Sequence, residues 1–157
     1  MDLDMPILQP LGECDLWQLV GDWSVTFSLP DGRSGRVFIG AGFVTDGASV
    51  PRMAWAFAGH PMESPRVVAA LAHDWLYASH GVDRATADAV YAAILRAVGR
   101  ASWRVAIEHA ALRMFGGFAY DASDGETVAH ALEHGRIEWT STSSPEWARA
   151  GMIMDPS

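Results

Sequence analysis

The feature that most constrains this chain is a switch in the period of its apolar residues. Residues 22–29, DWSVTFSL, alternate without a break: Trp23, Val25, Phe27 and Leu29 fall on one face, Asp22, Ser24, Thr26 and Ser28 on the other. A period of two is that of a strand with one buried face. PDGRSG then supplies proline, aspartate and glycine for a turn, and RVFIGAGFV follows as a second strand, bent at Gly40 or Gly42. From Pro51 onward the character changes to helical spacing. Ser64–Pro65 offers a cap residue followed by a proline in the first turn, opening a helix that runs to about Ala78 and stops before Gly81. Asp83 is placed to cap a second helix, RATADAVYAAILRAV, which Gly99 ends. A third, ASWRVAIEHAALRMF, is expected to end at Gly116–Gly117. Beyond it, GETVAHALEHG reads as a short helix and RIEWTST as a short strand.

Short connections between helices make them antiparallel neighbours. The expectation is therefore one α+β domain over residues 1–157: an N-terminal β-hairpin or small antiparallel sheet packed on a layer of about three antiparallel helices. Residues 1–15 and 145–157 read as extended tails. A chain of 157 residues, 50% apolar and 19% charged, is long enough to bury a core without disulfides or metals. Its formal net charge of −8 argues against general affinity for nucleic acid or anionic membranes. Cys14 is the single cysteine, so a reducing compartment is expected. The acidic start, MDLDMPILQPLGEC, has no basic segment followed by an apolar one, so it does not read as a signal peptide. No apolar run reaches the roughly 20 residues of a spanning helix, so no stable membrane insertion is expected. The expected location is the cytoplasm, or a particle assembled there.

Within the first helix, LAHDWLYASHG sets His73 and Asp74 side by side in an apolar run. Desolvating such groups costs several kcal/mol unless they are paired. A helix turns about 100° per residue, which stacks His73 on Tyr77 and points Asp74 to another side. Ahead of the helix, GFVTDGASVP places Asp46 and Gly47 directly after a strand. Asp-Gly there makes a turn, or Asp46 and nearby carbonyls offer oxygen ligands to a hard cation. Two readings of the polar residues stay open: an internal brace, or a site combining His73, Asp74, Tyr77, Asp46 and Asp88.

AGFVTDGASVPR followed by HDWLY resembles a family known only as domain of unknown function 1353, found in bacteriophages, prophages and related particles. The resemblance covers roughly residues 36–116 and implies a phage-derived origin, with other phage or particle proteins as partners, but no established reaction. A looser resemblance is to phospholipases A2, which carry His-Asp-x-x-Tyr on a helix, the spacing of His73, Asp74 and Tyr77. That resemblance implies His73 as the base activating water and Asp74 as a calcium ligand with Asp46 and its loop. Asp88, on the next helix, would orient His73. The cysteines that flank this motif in the secreted enzymes are absent, and Asp88 has an alternative partner in Arg84 at i,i+4.

HALEH, residues 130–134, matches the inverted metalloprotease pattern H-x-x-E-H, but only 23 residues follow it. His130 and His134 are expected to be solvated on a short surface helix. Arg104–Glu108 and His109–Arg113, each at i,i+4, read as the wet face of the third helix. Trp17, Trp23, Trp55, Trp75 and Trp103 are expected to serve the core, and Trp55 and Phe57 have the alternative of an exposed lip. The two functions in view are a phage-derived virion or assembly component without activity and a small metal-assisted hydrolase. Exposure separates them, because a general base must open into a pocket.

Overall fold

The structure, a computed structural model, describes residues 4–12, 16–45 and 65–141. Asp46, Gly47, Trp55, Phe57, Ser64, Cys14 and residues 145–157 lie outside the described residues. The elements follow in the order β1 (Leu8–Pro10), β2 (Trp17–Leu19), β3 (Trp23–Ser28), β4 (Ser34–Ile39), β5 (Val44–Thr45), α1 (Arg66–Ser79), α2 (Arg84–Ala97), α3 (Ser102–Asp121), α4 (Gly125–His134) and β6 (Gly135–Ser141). This is the expected α+β arrangement, with the short fourth helix and last strand also in place.

Two antiparallel sheets form, in the orders β1-β2-β5 and β3-β4-β6. The alternating stretch does what its period dictates: Trp23, Val25, Phe27 and Leu29 are all buried, opposite a β4 strand that buries Val37 and Ile39. The chain turns at Gly40–Gly42, where Gly42 takes φ +96°, a region that disfavours side chains. Strand β6 returns from the far end of the chain to pair with β4, in register Val37↔Ile137.

Helix α1 is the centre of the molecule, buried at every position except Ala78. A helix that is apolar all round must be surrounded. It packs against α2, α4, β4 and β5. Trp75 fixes α4 by donating its indole N–H to the Ala131 carbonyl at 2.8 Å. Helix α1 ends before Gly81, at His80, which takes the left-handed conformation (φ 51°). His80 stacks on Tyr120 and reaches the Tyr120 carbonyl at 2.9 Å, contacts that hold it there. Asp83 caps α2 as expected, accepting from the Thr86 N–H at 3.0 Å.

The third helix departs from expectation: it does not stop at Gly116–Gly117 but continues to Asp121. Gly116 is there for space. A Cβ on it would stand 2.5 Å from the Tyr77 hydroxyl. The face of α3 expected to be wet is also divided. Glu108 is buried and bonded to Arg66 and Arg100 rather than Arg104. Arg104 instead lies over the Trp103 ring. Trp103, expected in the core, is 60% exposed, because it sits on the side of α3 opposite buried Val105 and Leu112. Trp23 and Trp75 are core residues and Trp17 is half-buried. Among the described residues no helix is long and apolar enough to cross a membrane.

Candidate functional site

His73 and Asp74 are neighbours in sequence that face different ways. His73 points from α1 into the seam with α2, where its Nε2 lies 3.0 Å from Asp88 Oδ1. An ionised carboxylate only accepts, so Nε2 carries the proton of this bond. The Tyr77 hydroxyl donates to the same Asp88 oxygen at 2.6 Å, and its ring lies against His73, centroids 4.0 Å apart. Arg113, from α3, brings a guanidinium nitrogen to 3.6 Å from Asp88 Oδ2. His73 and Asp88 are both 0% exposed. The remaining ring nitrogen, His73 Nδ1, is buried and has no hydrogen-bond partner among the described residues.

The electrostatics follow from this closure. Burial pushes the Asp88 carboxyl up, but hydrogen bonds from His73 and Tyr77 and the charges of His73 and Arg84 more than offset it. The carboxyl is held below the ordinary carboxylate range. Burial, followed by the bond to Asp88, pushes the Tyr77 phenol well up. The i,i+4 partner read for Asp88 is occupied elsewhere: Arg84 donates to the carbonyls of Leu112 and Arg113, stitching α2 to α3.

Asp74 faces the opposite side. Its Oδ2 accepts from the Thr45 hydroxyl at 2.5 Å, tying α1 to β5. Asp74, Thr45 and Tyr77 line a cleft of about 480 Å³ whose apolar side includes Phe43, Ala78 and Phe118. The structure thus brings His73, Tyr77 and Asp88 into one cluster and Asp74 into another, with Tyr77 between them. Asp46, which follows Thr45 in the chain, lies outside the described residues. Calcium takes 6–8 oxygen ligands. Among the described residues lining the cleft, Asp74 is the sole carboxylate, and the hydroxyls of Thr45, Ser123 and Thr127 do not complete such a set. No group of three or more His, Cys, Asp or Glu side chains among the described residues could hold a metal ion.

His130 and His134 are half-buried rather than solvated. Their rings lie 4.3 Å apart, and His130 stacks on Phe43. His134 Nδ1 is 2.9 Å from the His130 carbonyl, as neighbouring turns of a helix allow. They pin α4 to the loop before β5. A wider cleft of about 810 Å³ runs past His134, Glu133, Asp22 and Arg136, away from His73.

A second buried cluster had no counterpart in the sequence reading. Glu108 accepts from Tyr91 at 2.7 Å, from Arg66 at 3.0 Å and from Arg100 at 2.6 Å. Arg66, fully buried at the start of α1, also donates to the Tyr91 hydroxyl at 3.1 Å. Tyr91 then touches His73 edge-on at 5.3 Å, which joins the two clusters into one seam through the helical layer.

A family model described as "Protein of unknown function (DUF1353)" matches residues 17–112. The match starts earlier than the resemblance over residues 36–116 and takes in His73, Asp74, Tyr77, Asp88, Tyr91 and Glu108. No curated protein and no solved structure matches the chain.

Proposed function

The chain belongs to the DUF1353 family, whose description assigns no activity, and from that premise we propose that it is a non-enzymatic phage- or prophage-derived protein, a virion or assembly component. In this reading the His73–Asp88–Tyr77 cluster braces the helical layer. One observation carries it: His73 and Asp88 are both 0% exposed and bonded to each other. A general base must come within hydrogen-bond reach of the proton it takes, directly or through one water. His73 does not line the neighbouring cleft. The resemblance of TDGASVP and HDWLY to phage-associated sequences supports the origin, and other particle proteins are the partners it implies. The cytoplasm, or a particle assembled in it, is the corresponding location.

One feature favours the second reading, a metal-assisted hydrolase. Asp74 and Tyr77 line a cleft of about 480 Å³ beside the strand that leads into Asp46. Calcium and zinc titrations followed by tryptophan fluorescence and melting temperature decide between the two, because a ligand that binds only the folded state raises apparent stability. The expected result is no saturable binding, with His73→Ala and Asp88→Ala lowering the melting temperature and nothing else. Saturable calcium binding that is lost in Asp46→Ala and Asp74→Ala, but kept in a folded His73→Ala, would replace the brace with the hydrolase.

A further inference from the structure

Helix α3 has two faces rich in apolar residues, and among the described residues one of them is packed and the other is exposed. Val105, Glu108, Leu112 and Gly116 are buried, with α2 packed against the helix. On the other side Trp103, Ile107, Met114 and Phe118 are 60%, 48%, 73% and 86% exposed, with Phe115 beside them at 55%. The spacings of four, seven and four residues keep these side chains within roughly 60° of one another around the helix, a continuous stripe. Large contiguous apolar patches on a folded surface mark contact sites.

We propose that this stripe is where a second copy of the chain docks, α3 against α3, antiparallel about a two-fold axis at Ala110–Ala111. Three observations select that occupant. First, the stripe reads the same from either end. A two-fold contact requires that if residue i meets j, then j meets i. Turning α3 about the midpoint between Ala110 and Ala111 sets Trp103 on Phe118, Ile107 on Met114 and Ala110 on Ala111. Two alanines at the crossing point let the helix axes approach closely. Second, the ends are complementary in charge. Exposed Arg104 lies near the N-terminal end of the stripe and exposed Asp121 just past its C-terminal end. Antiparallel docking brings each within a turn of the other across the interface, and it opposes the two helix dipoles. Third, the residue types fit: aromatic side chains stand at both ends of the stripe with Met114 and Ile107 between, and aromatics and methionine are enriched where protein surfaces meet. The inference is independent of the brace reading, since it rests on residues outside both buried clusters, and Phe118 also lines the cleft of about 480 Å³.

Sedimentation velocity on the full chain should give a species of twice 17.0 kDa. Met114→Glu and Phe118→Glu should each weaken the dimer by ~30-fold or more while leaving the far-ultraviolet circular dichroism unchanged. Because Ala110 lies beside the axis, Cys14→Ser/Ala110→Cys should form a disulfide-linked dimer on mild oxidation. The control Cys14→Ser/Thr26→Cys, on the exposed face of β3, should not. A monomer at every soluble concentration would overturn the proposal, whether the stripe is bare or covered by the chain's own residues 142–157. So would a dimer that survives both glutamate substitutions and fails to cross-link through position 110.

Discussion

The two buried clusters of the helical layer solve one packing problem with different chemistry. In each, a single carboxylate ties α1, α2 and α3 together. Asp88 of α2 holds His73 and Tyr77 of α1 and attracts Arg113 of α3. Glu108 of α3 holds Arg66 of α1, Tyr91 of α2 and Arg100 from the connection between α2 and α3. The partners differ in kind. Glu108 is bonded to two guanidiniums and a phenol, whereas Asp88 is bonded to an imidazole and a phenol, with the guanidinium of Arg113 held off at 3.6 Å.

The largest break in this comparison should come from Glu108→Ala, which removes the Glu108 carboxylate from beside buried Arg66. Removing one partner of a buried pair costs about 3–5 kcal/mol, so urea unfolding at neutral pH should show a loss of that size. An unchanged midpoint would mean that Arg66 relaxes to another acceptor.

Next comes Asp88→Asn, which keeps shape but removes the charge and one acceptor, at a cost of about 2–3 kcal/mol. It should also remove a pH dependence. The folded-state value of Asp88 is depressed, so its contribution is fully present above the unfolded value of 3.8 and is lost as pH falls through the lower folded value. Urea midpoints measured down the acid limb should fall more steeply for the wild type than for Asp88→Asn. Equal slopes would place the acid sensitivity elsewhere.

Smaller still are Tyr77→Phe and Tyr91→Phe, each expected to cost about 1–2 kcal/mol as one buried hydrogen bond is removed. Both phenols are raised above their ordinary value by burial, so the stability they contribute is complete below 10.0 and is lost as pH rises beyond it. Each variant should therefore lose less stability than the wild type in alkaline titration. The smallest effect belongs to Arg136→Ala, an exposed ion pair with Glu138 outside both clusters, at about 0–1 kcal/mol.

The two clusters also differ in how far the sequence announces them. His73 and Asp74 stand out because their neighbours are apolar, and helical spacing alone puts Tyr77 over His73. Asp88 can be offered as a partner once two antiparallel helices are recognised. What spacing cannot give is direction: Asp74 turns to Thr45 and the cleft, while His73 turns inward. Glu108 is hidden by a local alternative, since Arg104 at i,i+4 supplies a plausible surface partner and its real ones come from 42 and 8 residues away. Arg66 is hidden by its place just after Pro65, where a charged residue reads as an ordinary helix start. Gly116–Gly117 reads as a stop for a similar reason. The demand that put glycine there, the hydroxyl of Tyr77, comes from another helix. Strand alternation in residues 23–28 is legible because its cause is local to the strand.

Strand β4 has one edge on β3, five residues upstream, and the other on β6, nearly a hundred residues later. During synthesis the first edge is satisfied almost at once and the second stays open while all four helices of the described chain are made. An unpaired strand edge is a template for pairing with other chains, and long-range strand pairing is slow because loop closure precedes any reward. In the folded chain Trp75 holds α4 immediately ahead of β6, which fixes where the last strand enters the sheet. A chain cut short before residue 135 would leave that edge of β4 uncovered, so such a truncation should aggregate more readily than the full chain, as light scattering at matched concentration would show.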